Sequence, residues 1–234
     1  MKYQGSKAKI RQDILMYILM DRQPGQWFVE PFVGGANITS LVVGNRLASD
    51  NNEFLISLFK ALQQGWEPPN YVSKKDYTDA KEQLDGFEPL ILEEKALIGF
   101  IGFGCSFASK WFGGYARGEG RNYADECRRS LLEQKKSLEG VVFKYCDYRD
   151  LEIPANSIIY CDPPYEATTA YHDEFSHARF WAWAEKMSYS HKVFVLEYKA
   201  PETWKCIWAG VVSSSLDKDT GSKNAIEKLF IRNL

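Results

Sequence analysis

Apolar residues along the chain come in two patterns: short continuous runs, and stretches where they recur every three or four positions. Across residues 7–19, Ile10, Ile14, Leu15 and Ile18 fall at helical spacing and predict a first amphipathic helix. Gln26-Trp27-Phe28-Val29-Glu30 reads as a short buried strand. It runs into Pro31-Phe32-Val33-Gly34-Gly35-Ala36, a turn expected to open a helix from Asn37 onward. Leu47-Ala48-Ser49 reads as a second strand ending at Asp50, and residues 54–62 as a second helix. Strand, turn, helix, strand is the opening of a doubly wound α/β domain.

Pro68-Pro69 breaks that rhythm. From there to about Leu138 the pattern is helical and irregular, with no strand of the buried kind. Within it, residues 99–123 are dense in glycine and aromatics and carry Lys110, Arg117 and Arg121. Strands then return at residues 141–145 and 157–161, a helix at 176–188 and a strand at 192–198. Residues 211–214 and 228–231 read as a closing antiparallel pair. The expected organisation is one α/β domain from residues 1–64 and 139–234, interrupted by a helical insertion over 65–138.

Composition narrows the class. At 234 residues, 45% hydrophobic and 26% charged, the chain can bury a sizeable core. No apolar run approaches the roughly 20 residues that span a membrane. Met1 is followed almost at once by Tyr3-Gln4-Gly5-Ser6-Lys7, which leaves no room for a targeting leader, so no membrane and a cytoplasmic location are expected. Five scattered cysteines and three histidines form no close pairs, so reduced thiols and no metal site are expected. A net charge of −2 does not advertise a nucleic-acid partner, although overall balance can hide a basic face.

The sharpest chemical feature is Asp162-Pro163-Pro164-Tyr165, directly after the apolar strand ending at Cys161. Ligands of open α/β sheets sit beyond the carboxyl ends of the strands. Two prolines have no backbone donors and hold a stiff, extended path. The Asp162 carboxylate and the Pro163 carbonyl are then two acceptors aimed at one small volume, which suits an exocyclic amine with two N–H donors. The alternative is a strand-terminating turn with a packed tyrosine. Gly34 and Gly35 fit either a ligand close to the backbone or tight packing. Asp50 stands where ribose hydroxyls are gripped, or else caps the helix that Asn51 and Asn52 begin.

These segments together resemble the Dam-type, D12 class of DNA N6-adenine methyltransferases. The resemblance is carried by Tyr3-Gln4-Gly5-Ser6-Lys7, residues 29–36, Ser49-Asp50-Asn51, residues 161–165 and Gly221-Ser222-Lys223, in the family's order. It covers the two flanks of the chain well and the middle poorly. It implies a Rossmann-like methyltransferase fold with a helical target-recognition insertion, S-adenosyl-L-methionine as cofactor, double-stranded DNA as partner, and a flipped adenine as substrate. It also implies that Tyr3, Lys7, Glu30, Phe32, Gly34, Gly35, Asp50, Cys146, Asp147, Tyr148 and Asp162 contact the cofactor, with Asp162, Pro163, Pro164 and Tyr165 catalytic. A monomer or weak dimer is the expected assembly.

Residues 103–115 depart from the stretch by which GATC-reading members are known. Lys110, Trp111, Arg117 and Arg121 are the candidate DNA contacts there, on phosphates, guanine edges or between bases. Against this, Phe103, Phe107 and Trp111 are spaced by four, as in a packed helical stripe. Phe175 and His177 follow the catalytic segment, and His177 is expected at a helix start. Methylation of an RNA or protein amino group is the competing enzymatic reading. Protein-glutamine enzymes usually begin the tetrapeptide with Asn, so Asp162 speaks against them. A non-catalytic DNA-binding module would have no need of Asp162 and Lys7.

Overall fold

The computed structural model describes residues 1, 3, 7, 10–86, 88–165, 175–214 and 223–232. A seven-stranded sheet runs through the molecule in the order β3-β2-β1-β4-β5-β7-β6. Its strands are β1 (Phe28–Glu30), β2 (Arg46–Asp50), β3 (Val141–Tyr145), β4 (Ile158–Cys161), β5 (Lys192–Glu197), β6 (Trp204–Ser214) and β7 (Lys223–Arg232). The first five are parallel, and β7 lies antiparallel between β5 and β6. The chain moves outward from β1 through β2 to β3, then crosses to β4 on the other side of β1. That switch falls at the carboxyl ends of β1 and β4, the place where open α/β sheets bind their ligands.

The inner parallel strands are buried along almost their whole length, because both faces of the sheet are covered. Phe28, Ile158, Tyr160, Phe194 and Leu196 pack with Ile14, Leu15 and Ile18 of α1 (Arg11–Leu19). Their strand neighbours Val29, Ile159, Cys161, Val193 and Val195 pack with Phe180 and Ala184 of α6 (His177–Ser188). Period-two alternation thus divides each strand between two cores. His177 does begin its helix, with Ser176 as the cap: its side chain accepts from the Arg179 N–H.

The third core lies under the insertion. Leu55, Ile56, Leu58, Phe59 and Leu62 of α2 (Glu53–Gln63) are buried beside Phe143 and beside Ile98, Phe100, Phe103 and Leu131. Phe59 and Phe143 stack at 5.0 Å, an arrangement worth about 0.5–1.5 kcal/mol beyond its burial. The insertion supplies α3 (Lys74–Glu82), α4 (Leu92–Gly99) and α5 (Tyr123–Lys135). Gly99 ends α4 against α2, where a Cβ would press into the Phe54 carbonyl oxygen.

Two expectations change. The helix expected from Asn37 is a single 3-10 turn, Thr39–Leu41, ending where Val42 turns extended. The closing pair is much longer than the apolar runs suggested, because β6 and β7 pair over almost their full length, with a register shift between Cys206 and Trp208.

Candidate active site

Three carboxylates end three adjacent strands. Glu30, Asp50 and Asp162 share the strand parity of Phe28, Ala48 and Tyr160, and so come to the carboxyl edge on one face of the sheet. Burial is the main influence on all three. It pushes Glu30 up to about 8, Asp50 up to about 6 and Asp162 up to about 6.

Glu30 Oε2 accepts from the Thr39 N–H at 3.0 Å and from the Thr39 hydroxyl, so this carboxyl fastens the 3-10 turn behind the glycines. Asp50 Oδ2 accepts from the Gly34 N–H at 3.1 Å and Oδ1 from the Asn52 N–H at 3.0 Å. Asp50 is therefore not the cap of α2. That role falls to Asn52, whose side chain accepts from the Leu55 N–H at 2.9 Å. Each Asp50 oxygen keeps acceptor capacity for a hydroxyl.

Gly34 has φ +44, and a Cβ on it would meet the Tyr3 ring at 2.8 Å. A Cβ on Gly35 would meet Tyr3 Cβ at 2.8 Å and Asn37 Nδ2 at 2.7 Å. In this structure, then, the glycines admit Tyr3, whose ring also sits 5.1 Å from Phe103. Phe32 joins an aromatic cluster with Tyr148 at 5.1 Å and Phe175 at 5.9 Å. Cys146 extends the ladder, its N–H donating to the Asp50 carbonyl at 3.3 Å. Asp147 turns back on Arg149, accepting from its N–H at 2.9 Å and its Nε at 2.7 Å.

At the elbow, Pro163 is buried and Pro164 exposed. Asp162 Oδ1 lies 3.2 Å from Lys7 Nζ, which also lies 3.3 Å from Glu227 Oε1. The ammonium sits 4.5 Å above the Tyr165 ring, and Tyr165 packs on Tyr198 at 4.6 Å. Burial disfavours the Lys7 ammonium, but Asp162 and Glu227 outweigh it and its pKa rises. Lys7, expected on the cofactor, thus stands at the elbow. Glu227 and Tyr198 did not emerge from the sequence. The available signal was an acid in phase with Leu229 and Ile231, on the inward side of the last strand.

The candidate DNA contacts separate. Trp111 is packed, 4.7 Å from Phe103 and 5.6 Å from Phe54, with its indole against Gly102. Arg121 is paired with Glu126 at 2.6 Å and lies over the Tyr123 ring. Arg117 is exposed and Lys110 half-buried. The helical stripe does not form, because α4 passes through a π turn at Phe100–Gly104 and the chain then leaves the helix. Ala108 and Ser109 are left-handed, at φ 53 and 54. The result is that Phe107 stands 71% exposed. Its loop is held by the Phe107 N–H to the Gly114 carbonyl at 2.8 Å, and by the Tyr77 hydroxyl 2.9 Å from Ser106 Oγ.

Gln4, Gly5, Ser6, Gly221 and Ser222 lie outside the described residues, and Lys223 is placed only by its backbone in β7. Among the described residues there is no cluster of three or more His, Cys, Asp or Glu able to hold a metal ion, and no helix long and apolar enough to cross a membrane.

The sheet order, with one antiparallel strand inserted beside β5, is that of a Rossmann-like methyltransferase fold, and the three acids stand at its switch point. Residues 3–88 match the model of the D12 class N6 adenine-specific DNA methyltransferases, so the likeness read from the motifs stands over that part of the chain. Two solved structures are among those to which the chain is similar. One is the rRNA methyltransferase aviRa from Streptomyces viridochromogenes, with 13% identity, TM-score 0.44, and coverage of 97% of this chain and 85% of that one. The other is SMU.472, a putative methyltransferase complexed with SAH, with 12% identity and TM-score 0.35. This chain is covered over 97% but spans only 53% of the SMU.472 chain.

Proposed function

We propose that the chain transfers a methyl group from S-adenosyl-L-methionine to N6 of an adenine flipped out of double-stranded DNA. One observation carries the reading: the Asp162 carboxylate stands at the switch point of the sheet on a two-proline elbow, on the same face as Glu30 and Asp50.

The residues present fit the cofactor. Asp50 is an acceptor carboxylate whose described partners are backbone N–H groups, which suits a ribose diol. Phe32, Tyr148 and Phe175 offer flat apolar faces for an adenine ring. Tyr3, Gly34 and Gly35 shape the methionine end, with Glu30 fixing the turn beneath them. When bound, the cofactor supplies an electrophilic methyl group on a sulfonium.

The chain's own part is to prepare the nucleophile. The N6 lone pair is delocalised into the purine ring, which makes the amine weak. The Asp162 carboxylate and Pro163 carbonyl accept its two hydrogens, favouring a pyramidal nitrogen whose lone pair points at the methyl carbon. At neutral pH an Asp162 with a pKa of about 6 is mostly ionised and so accepts rather than donates. The base leaves the stack to reach this site. Residues 65–138 then serve target recognition, and residues 1–64 and 139–234 catalysis. In the insertion, the protruding Phe107 is placed to enter a gap in the stack, with Lys110 and Arg117 beside phosphates. The strained residues that project Phe107 cost about 1–3 kcal/mol each, which is expected of a loop shaped for contact.

The test is transfer of a labelled methyl group to a random-sequence duplex library, with RNA and protein as control acceptors. Label on adenine N6 of DNA is expected, and Asp162→Ala should abolish it while leaving cofactor affinity within about twofold. Label confined to RNA or protein, or unchanged turnover in the variant, refutes the reading.

A further inference from the structure

We infer that Glu227 is a positioning residue for methyl transfer, holding Lys7 so that Asp162 keeps acceptor capacity for the substrate amine. The inference rests on the function proposed above.

Lys7 Nζ is almost equidistant from its two partners, 3.2 Å from Asp162 and 3.3 Å from Glu227, and the side chains are only 8%, 19% and 7% exposed. Two carboxylates and one ammonium leave a surplus negative charge in a buried place. A purely structural ion pair gains nothing from that surplus, because the second carboxylate must be desolvated without a second cation. Glu227 Oε2 is moreover buried with no hydrogen-bond partner among the described residues. Leaving such an oxygen unpaired carries a desolvation cost that a structural role does not repay.

The arrangement answers a chemical problem. Paired with Asp162 alone, Lys7 would direct its charge at the oxygens needed for N6–H, competing with the incoming amine. Glu227 draws the ammonium sideways, and the Tyr165 ring beneath it fixes its height. Asp162, which also accepts from the Tyr165 hydroxyl, thereby keeps a lone pair for the amine. Transfer forms the N6–C bond as the methyl carbon's bond to sulfur breaks, so positive charge moves onto N6; the surplus negative charge stabilises it there until one N6 proton is lost to water. Alternation places Glu227 for this work: it follows the parity of Leu229 and Ile231, on the face that carries Tyr160 and Asp162. The titratable groups facing Asp162 are Lys7 from the N-terminal segment, Glu30 from β1, Tyr160 from β4, Tyr165 from the elbow, Tyr198 after β5 and Glu227 from β7.

The experiment compares the full-length chain with Glu227→Gln and Glu227→Asp. It reads kcat and KM on duplex DNA across pH, thermal stability, and titration of the Lys7 side-chain nitrogen by 15N NMR. Glu227→Gln should lower kcat about 10- to 100-fold, with KM for DNA within about twofold. Its acid limb should move to lower pH, since Asp162 loses a negative neighbour, and the Lys7 pKa should fall. Glu227→Asp should restore part of kcat. An unmoved acid limb, or a kcat loss matching only the loss of folded protein, overturns the inference. If the unaltered chain transfers nothing to DNA, the function proposed above fails, and the Lys7 titration still decides the ion-pair arrangement: a pKa that Glu227→Gln leaves unmoved overturns it.

Discussion

Glu30 offers a measurable consequence of burying an acid at the end of a strand. Its carboxyl is 3% exposed, accepts from Thr39, and has a pKa raised from 4.5 to about 8, chiefly by burial and against the Thr39 bonds. The folded chain therefore holds it protonated at neutral pH, whereas the unfolded chain ionises it. The stabilisation from this group is complete below about 4.5 and is lost as pH rises through about 8. Replacing it with a neutral isostere removes that dependence. Each pH unit is worth about 1.4 kcal/mol, so over the roughly 2.5 pH units up to neutrality Glu30→Gln should gain about 3 kcal/mol at most. The Gln carbonyl can take over both Thr39 bonds. For a chain of this size the gain corresponds to a Tm rise of about 6–12 °C at pH 7, shrinking to nothing near pH 4. Paired calorimetric melts of the two proteins from pH 4 to pH 8 measure it. A Tm difference that does not grow as pH rises from 4 to 8 would show that the fold does not raise the Glu30 pKa.

Gly99→Ala should destabilise the chain by about 1–3 kcal/mol despite alanine's better helix propensity, because the added methyl meets a backbone carbonyl of α2 that cannot step aside; denaturant midpoints read this. Phe107→Ala should leave Tm nearly unchanged and weaken duplex binding about tenfold or more, since an exposed ring adds little to folding and about 1–3 kcal/mol to stacking. Arg117→Ala should flatten the salt dependence of binding by about one counterion; titrations at several ionic strengths separate the two effects.

Much of the architecture was present in the order of residues. Apolar runs at 26–30, 47–49, 141–145, 157–161 and 192–198 mark five parallel strands; the inner four are covered on both faces, whereas the edge strand β3 buries only Val141 and Phe143. The elbow at Asp162-Pro163-Pro164-Tyr165 was equally legible, since proline fixes its backbone without help from the rest of the chain. Asp50 was found as a residue but not as a contact. Its bond to Gly34 depends on β1 and β2 lying side by side. Periodicity also misjudged 103–111, where spacing by four suggests a helix. A π turn and two left-handed residues end that helix, burying Phe103 and packing the half-buried Trp111 against it while turning Phe107 outward. Glu227 lies 65 residues beyond Asp162 and 220 beyond Lys7, and no local pattern links the three. Antiparallel insertion of β7 beside β5 brings them together. Local sequence sets backbone path and strand parity, because these depend on neighbouring residues alone. Which charges share one ammonium is decided only when distant strands close into a single sheet.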